Sequence, residues 1–189
     1  MKKFLLVLLA VVTGLGVAVT RIANIEYSKA FFHNGSWTGS THLPLGKNNL
    51  LTTQITLFAL FALPSEEAIY LFAKRDEEKN LLHSENDYTI SGNIHQINSK
   101  YWSITCYGKD LYLVPNEENL YSFNNANIAT DSTGNFEITV SHKKQKGNWL
   151  PSPDNARFNL VLRIYKGDKN FLEHLSSTPL PFISIKNNL

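Results

Sequence analysis

From Phe158 to Tyr165 the chain alternates residue by residue. Phe158, Leu160, Leu162 and Ile164 share one side of an extended backbone; Asn159, Val161, Arg163 and Tyr165 share the other. Successive side chains of a strand point to opposite faces, so this period predicts a strand with one face in a core. The pattern recurs at Tyr101–Tyr107, where Trp102, Ile104 and Cys106 alternate with Tyr101, Ser103, Thr105 and Tyr107. It recurs again at Phe136–Ser141, where Phe136, Ile138 and Val140 alternate with Glu137, Thr139 and Ser141. Ala68–Lys74 is a further aromatic and aliphatic run, and Tyr88-Thr89-Ile90 leads into Ser91-Gly92, which reads as a turn. Turn signals also fall at Gly108-Lys109-Asp110, Pro115-Asn116, Ser132-Thr133-Gly134 and Pro151-Ser152-Pro153. Together these predict a mainly β chain: an antiparallel, jelly-roll-like β-sandwich from about Ala68 onward. Asp168 reads as the cap of one short helix reaching Leu175.

Leu50–Leu63 is an apolar-rich block before Pro64. Leu51, Ile55, Phe58 and Ala62 fall at helical spacing, and a proline ends a helix. This predicts one helix covering the sheet, although β-branched Thr52, Thr53, Ile55 and Thr56 keep a strand open. The expected organisation is an N-terminal membrane segment over residues 1–22, a linker over 23–48, and the β domain over 49–189. Asn34-Gly35-Ser36 matches a glycosylation acceptor but reads as a turn.

Phe4–Val19 is apolar apart from Thr13 and two glycines, with Lys2 and Lys3 before it and Arg21 after it. As a helix rising ~1.5 Å per residue it spans about 24 Å, somewhat less than a ~30 Å hydrocarbon core. An uncleaved single-pass anchor is one reading; a signal peptide cleaved near Ala18 is the other. The basic head stays in the cytoplasm by the positive-inside rule, which sends the domain to the periplasm.

The formal net charge is +2, but the flanking Lys2, Lys3 and Arg21 account for it. Without them 15 basic residues face 16 acidic ones. No basic face is left for nucleic acid; Lys143, Lys144 and Lys146 read as a solvated loop. Cys106 is the single cysteine, so no intrachain disulfide can form, and its parity puts it in the core as an inert thiol. His33, His42, His83, His95, His142 and His174 lack ligand spacing, so neither a metal nor a cofactor is expected. Glu66, Glu67, Asp76, Glu77 and Glu78 read as exposed strand-end and turn charges.

Further motifs occur in a recognisable order. Trp102-Ser103-Ile104-Thr105 is followed by Tyr107, then Leu113-Val114-Pro115-Asn116, Tyr121-Ser122 and Gly134-Asn135-Phe136. Gly147-Asn148-Trp149-Leu150-Pro151-Ser152-Pro153 and Arg157–Tyr165 complete the series, with Glu67-Ala68-Ile69-Tyr70 upstream. In this the chain resembles the family catalogued as domain of unknown function 1214, in its short bacterial version with an N-terminal membrane segment. It departs from the family at Asn48–Thr53, where a stretch like Asp-Pro-Tyr-x-Arg-Ala is usual, and at Lys166-Gly167-Asp168, where a proline-containing turn is usual. The resemblance implies a jelly-roll-like sandwich in the cell envelope and no defined reaction.

The candidate ligand site is the polar face carrying Arg163 and Tyr165, joined by Tyr107, Asn116, Tyr121 and Trp149 of the family motifs. Its structural reading has the arginine satisfying carbonyls and a carboxylate, with Trp149 anchoring the loop at Pro151. Its functional reading is a shallow aromatic and arginine site for a small anionic or sugar-like ligand. The expected function is a membrane-anchored periplasmic binding or interaction module, its partners the inner membrane and either such a ligand or an envelope protein. The alternative is an envelope hydrolase using Tyr107, Asn116, Arg163 and Tyr165.

Overall fold

The computed structural model describes residues 2–23, 31–41, 63 and 66–186. The chain divides into two units, Met1–Phe31 with Leu43–Ala62, and Phe32–His42 with Leu63–Leu189. The helix expected at Leu50–Leu63 lies outside the described residues except for Leu63.

In the first unit, α1 spans Lys2–Ala23. Its 22 residues make it about 33 Å long, enough for a hydrocarbon core. It outruns the apolar segment because the polar residues at either end also take the helical backbone. Thr13 and Thr20 donate back to the carbonyls of Leu9 (2.8 Å) and Val17 (2.9 Å), so their hydroxyls are satisfied within the helix. Among the described residues this is the one helix long and apolar enough to cross a membrane.

The second unit is mainly β, with two sheets. Its strands are β1 Phe32–Asn34, β2 Trp37–Gly39, β3 Ala68–Ala73, β4 Tyr88–Asn93, β5 Ser99–Gly108, β6 Ser122–Asn124, β7 Asn135–Ser141, β8 Trp149–Pro151, β9 Phe158–Gly167 and β10 Phe182–Ile185. One sheet has six strands in the order β1-β2-β3-β9-β5-β6, all antiparallel. The other has four, in the order β10-β4-β7-β8. In that sheet β7 and β8 run parallel, contrary to the all-antiparallel expectation. Parallel neighbours ordinarily need a long crossover. Here β8 is only three residues, so the chain retraces a short distance, turning at Gly147 with φ +76°. Asn148 holds the return: its amide donates to Ala129 O (2.8 Å) and Glu137 O (3.0 Å) and accepts from Ala129 N (2.9 Å).

The sheets share one core. Trp102 of β5 packs on Phe136 of β7 with centroids 5.5 Å apart. Tyr88 of β4 meets Phe158 of β9 edge-on at 5.6 Å. The residues with core parity in β9 and β5, Phe158 to Ile164 and Trp102 to Cys106, are all buried. β4 runs on through Ser91 and Gly92, and the turn comes after Asn93, correcting the predicted break. Pairing with β7 extends over Ser91↔Glu137 to Asn93↔Asn135, and that ladder overrides the local turn preference. Helix α2 is Lys169–Glu173, capped by Asp168 Oδ1, which accepts from Phe171 N at 3.2 Å.

Residues 32–39, assigned from sequence to the linker, form a hairpin that extends the large sheet. Asn34-Gly35-Ser36 is its turn, with Gly35 at φ +60°. A Cβ on Gly35 would lie 2.7 Å from Glu77 Oε1. Side chains latch the hairpin to the domain. Asn34 Nδ2 donates to Leu175 O (2.8 Å) and Thr178 O (2.7 Å), and Trp37 Nε1 donates to Pro181 O (2.7 Å). Ser36 donates twice to Glu77 Oε1. Asp76 is buried rather than exposed as expected, accepting from Asn80 N at 2.8 Å.

Truncating Phe158 to alanine should cost ~3–5 kcal/mol, because the ring fills a sealed position between the sheets. A loss below about 1 kcal/mol in a denaturant titration would contradict the assigned core face. The turn before β7 gives a pH prediction. Hydrogen bonds from Thr133 and Asn135 hold the Asp131 carboxyl down at about 2, against an ordinary 3.8. A lowered folded pKa stabilises above the unfolded value and ceases to do so as pH falls through the folded one. Stability should therefore fall between about pH 4 and pH 2, less steeply in Asp131→Asn.

Candidate functional site

The register of β3, β9, β5 and β6 builds the face opposite the core. Tyr70, Arg163, Ser103 and Asn124 form one cross-strand row. Phe72, Val161, Thr105 and Ser122 form the next. Tyr165 lies opposite Ala68 on one side and Tyr101 on the other, and Tyr107 lies opposite Asn159. Directly paired residues on neighbouring strands share a face, so four tyrosines and one arginine converge.

Arg163 is the centre. Its Cζ lies 5.3 Å from the Tyr107 ring centroid and 6.0 Å from that of Tyr70. Nη1 donates to Thr105 Oγ1 at 3.4 Å, and Nη2 donates to the Tyr107 hydroxyl. Among the described residues no carboxylate pairs with it. The guanidinium is thus half-buried and held by rings and hydroxyls. Burial raises the pKa of the Tyr70 phenol above 10.0, helped by its repulsion from and hydrogen bond with Tyr165 and opposed by Arg163. Tyr70 is therefore a neutral hydroxyl at ordinary pH. Tyr101 and Tyr165 stack at 5.7 Å with a 56° tilt.

Of the six residues predicted from sequence, Tyr107, Arg163 and Tyr165 come together on this face. The other three do not join them. Asn116 is spent inside its own loop, donating to Val114 O (3.1 Å) and Leu120 O (3.0 Å) and accepting from Leu120 N (3.0 Å). The Tyr121 hydroxyl donates to Asn119 Oδ1 at 3.4 Å, just before β6. Trp149 lies in the other sheet, buried, with Nε1 donating to Ser141 O at 2.9 Å. Asn148 and Trp149 explain the Asn-Trp-Leu-Pro motif by architecture: they fasten β8 to β7. Sequence reasoning missed Tyr70, although its parity opposite Ile69 and Leu71 was visible. What was not visible was the strand order that lays β3 beside β9.

Other chemistry is sparse. Among the described residues, no three His, Cys, Asp or Glu side chains gather as metal ligands. His142 faces Asp154 at 3.5 Å and His83 faces Glu85 at 3.7 Å, both at the surface. Lys144 of the basic run pairs with Glu118.

These features define a two-sheet β protein with an arginine–tyrosine face and an N-terminal apolar helix. The family described as "Protein of unknown function (DUF1214)" matches residues 67–169, and the chain belongs to it. That span runs from the start of β3 through β9 and takes in the whole arginine–tyrosine cluster. The chain is similar to the VPA0106 protein of Vibrio parahaemolyticus, a crystal structure, at 25% identity and TM-score 0.61. That match covers 76% of this chain and 37% of the other, so this chain spans less than two fifths of that protein. An uncharacterised protein from Burkholderia cenocepacia matches at 16% identity and TM-score 0.44, over 88% of this chain and 39% of that one. No protein among the curated ones matches.

Cys106 is sealed in the core, and burial pushes its thiol far above the usual range. A charged maleimide should leave it unmodified in the folded protein and label it fully in urea. Rapid labelling of the folded chain would contradict the packing described for β5.

Proposed function

We propose that this protein is a cell-envelope binding module. In this reading α1 anchors the chain in the inner membrane as a single pass, and the β domain, a jelly-roll-like sandwich, faces the periplasm. The length and apolar composition of α1 support the anchor, and the Lys2–Lys3 head supports the orientation. The observation that carries the binding role is Arg163. A half-buried guanidinium between two tyrosine rings, with no carboxylate partner among the described residues, is a cation kept available for an anion. The ligand face is then Tyr70, Tyr101, Tyr107, Arg163 and Tyr165.

A hydrolase most often moves protons with a histidine or carboxylate. The hydrogen-bond partners of Arg163 are instead a threonine and a tyrosine hydroxyl. That favours binding over catalysis.

Alkaline phosphatase fused after Leu189 should be active, and a cytoplasm-dependent reporter at the same position silent. N-terminal sequencing of the membrane fraction should recover the residues before Ala18. A mature protein starting near Val19 in the soluble periplasmic fraction would replace the anchor by a cleaved signal. A cytoplasmic reporter signal would overturn the envelope assignment altogether.

A further inference from the structure

We propose that the Arg163 site takes an organic monocarboxylate with an apolar body; this rests on the reading of the arginine–tyrosine face as a binding surface. The argument is a census of donors, acceptors and charge. A guanidinium has five N–H donors. Thr105 and Tyr107 each accept from Arg163, leaving further N–H groups for a ligand. Thr105 is buried, but the partly exposed Tyr107 hydroxyl accepts there, so its own hydrogen is free to donate outward. Tyr70 and Tyr165, both partly exposed, each carry a phenol hydroxyl able to donate. The cluster is therefore rich in donors.

Such a site suits an oxyanion and disfavours a sugar, whose hydroxyls also need acceptors such as carboxylates. Charge narrows the class. Among the described residues Arg163 is the one arginine or lysine in the cross-strand rows that make this face, and its row neighbours Tyr70, Ser103 and Asn124 are neutral. Lys166, next along the chain after Tyr165, is drawn to Glu67 at 3.8 Å. One positive charge balances one negative charge, whereas a phosphate dianion would keep an uncompensated charge in a half-buried setting. Geometry adds that a carboxylate can meet the guanidinium fork with two parallel hydrogen bonds. Shape completes the case: partly exposed Phe72 lies in the row beside Arg163, and the Tyr70 and Tyr107 rings flank the cation. An aromatic or short acyl body would lie against these walls.

The test uses the full chain in detergent micelles, with benzoate, hexanoate and inorganic phosphate as probes. The NMR signal of the Arg163 Nε–H reports on the guanidinium directly. Benzoate and hexanoate should shift it saturably. Binding should weaken by roughly tenfold or more in Arg163→Gln, and by less in Tyr107→Phe, each with an unchanged near-ultraviolet circular dichroism spectrum. Tighter binding of phosphate than of either carboxylate would overturn the monocarboxylate class while leaving an anion site in place. Carboxylate binding that is unchanged in Arg163→Gln, or that leaves the Arg163 signal unmoved, would overturn the assignment to this residue. No response to any of the three would overturn the anion site and with it the binding reading of this face. If Arg163→Gln does not fold, the wild-type competition between benzoate and phosphate and the Tyr107→Phe affinity still decide the matter.

Discussion

The parity of β9 is the constraint on which both the core and the site depend. Each residue of a strand faces one side or the other, and a slip of one position would exchange the two sets. Phe158, Leu160, Leu162 and Ile164 are sealed between the sheets. Fully burying such side chains is worth ~1.5–3 kcal/mol each, against ~0.5–2 kcal/mol for an arginine over a ring. The core residues therefore decide the register, and Arg163 is carried outward because Leu162 and Ile164 are carried inward. The site does not have to hold itself in place. Hydrogen bonding to β3 on one side and β5 on the other fixes the neighbours of Arg163 as firmly as it fixes the core.

This arrangement explains why the outer face can tolerate a charge that has no carboxylate partner among the described residues. Leaving a cation half-buried without a counterion costs free energy, and burial elsewhere in the same strand offsets it. The two tyrosine rings and two hydroxyls soften the cost without cancelling the charge. A carboxylate from the chain itself would neutralise the guanidinium and close the site. Glu67, whose neighbour Ala68 pairs with Tyr165 on the same sheet, instead lies near Lys166.

The strands of long, clean alternation were legible in the sequence. β5, β7 and β9 sit where the period of two put them, and Cys106 is buried on the side its parity assigned. Short segments were not legible, because three residues give no measurable period. β1, β2, β6 and β8 are of this kind, and the linker reading of residues 32–39 failed for that reason. That hairpin is held by Asn34, Ser36 and Trp37 to partners at least 40 positions away in the chain, which local pattern cannot reveal. The candidate site divides the same way. Tyr107, Arg163 and Tyr165 lie on two neighbouring strands; parity singled out Arg163 and Tyr165, and Tyr107 came with the family motifs. Asn116 and Trp149 were singled out by motif, and their hydrogen bonds show that the motif preserves architecture. Tyr70 needed the strand order.

The distribution of strand lengths has a further consequence. The two longest strands, β5 and β9, have 10 residues each and lie inside the large sheet. Among the described residues all four edge strands are short: β1, β6 and β8 have three residues and β10 has four. β8 ends in Pro151, which has no N–H to give a newcomer, and on β10 the Ile183 carbonyl is occupied by Glu77 N. An exposed edge recruits another chain only if it presents a sustained row of free backbone groups. These edges are too brief to template one. Fibril-like growth by sheet extension is therefore disfavoured in the folded molecule, even where many copies are crowded together.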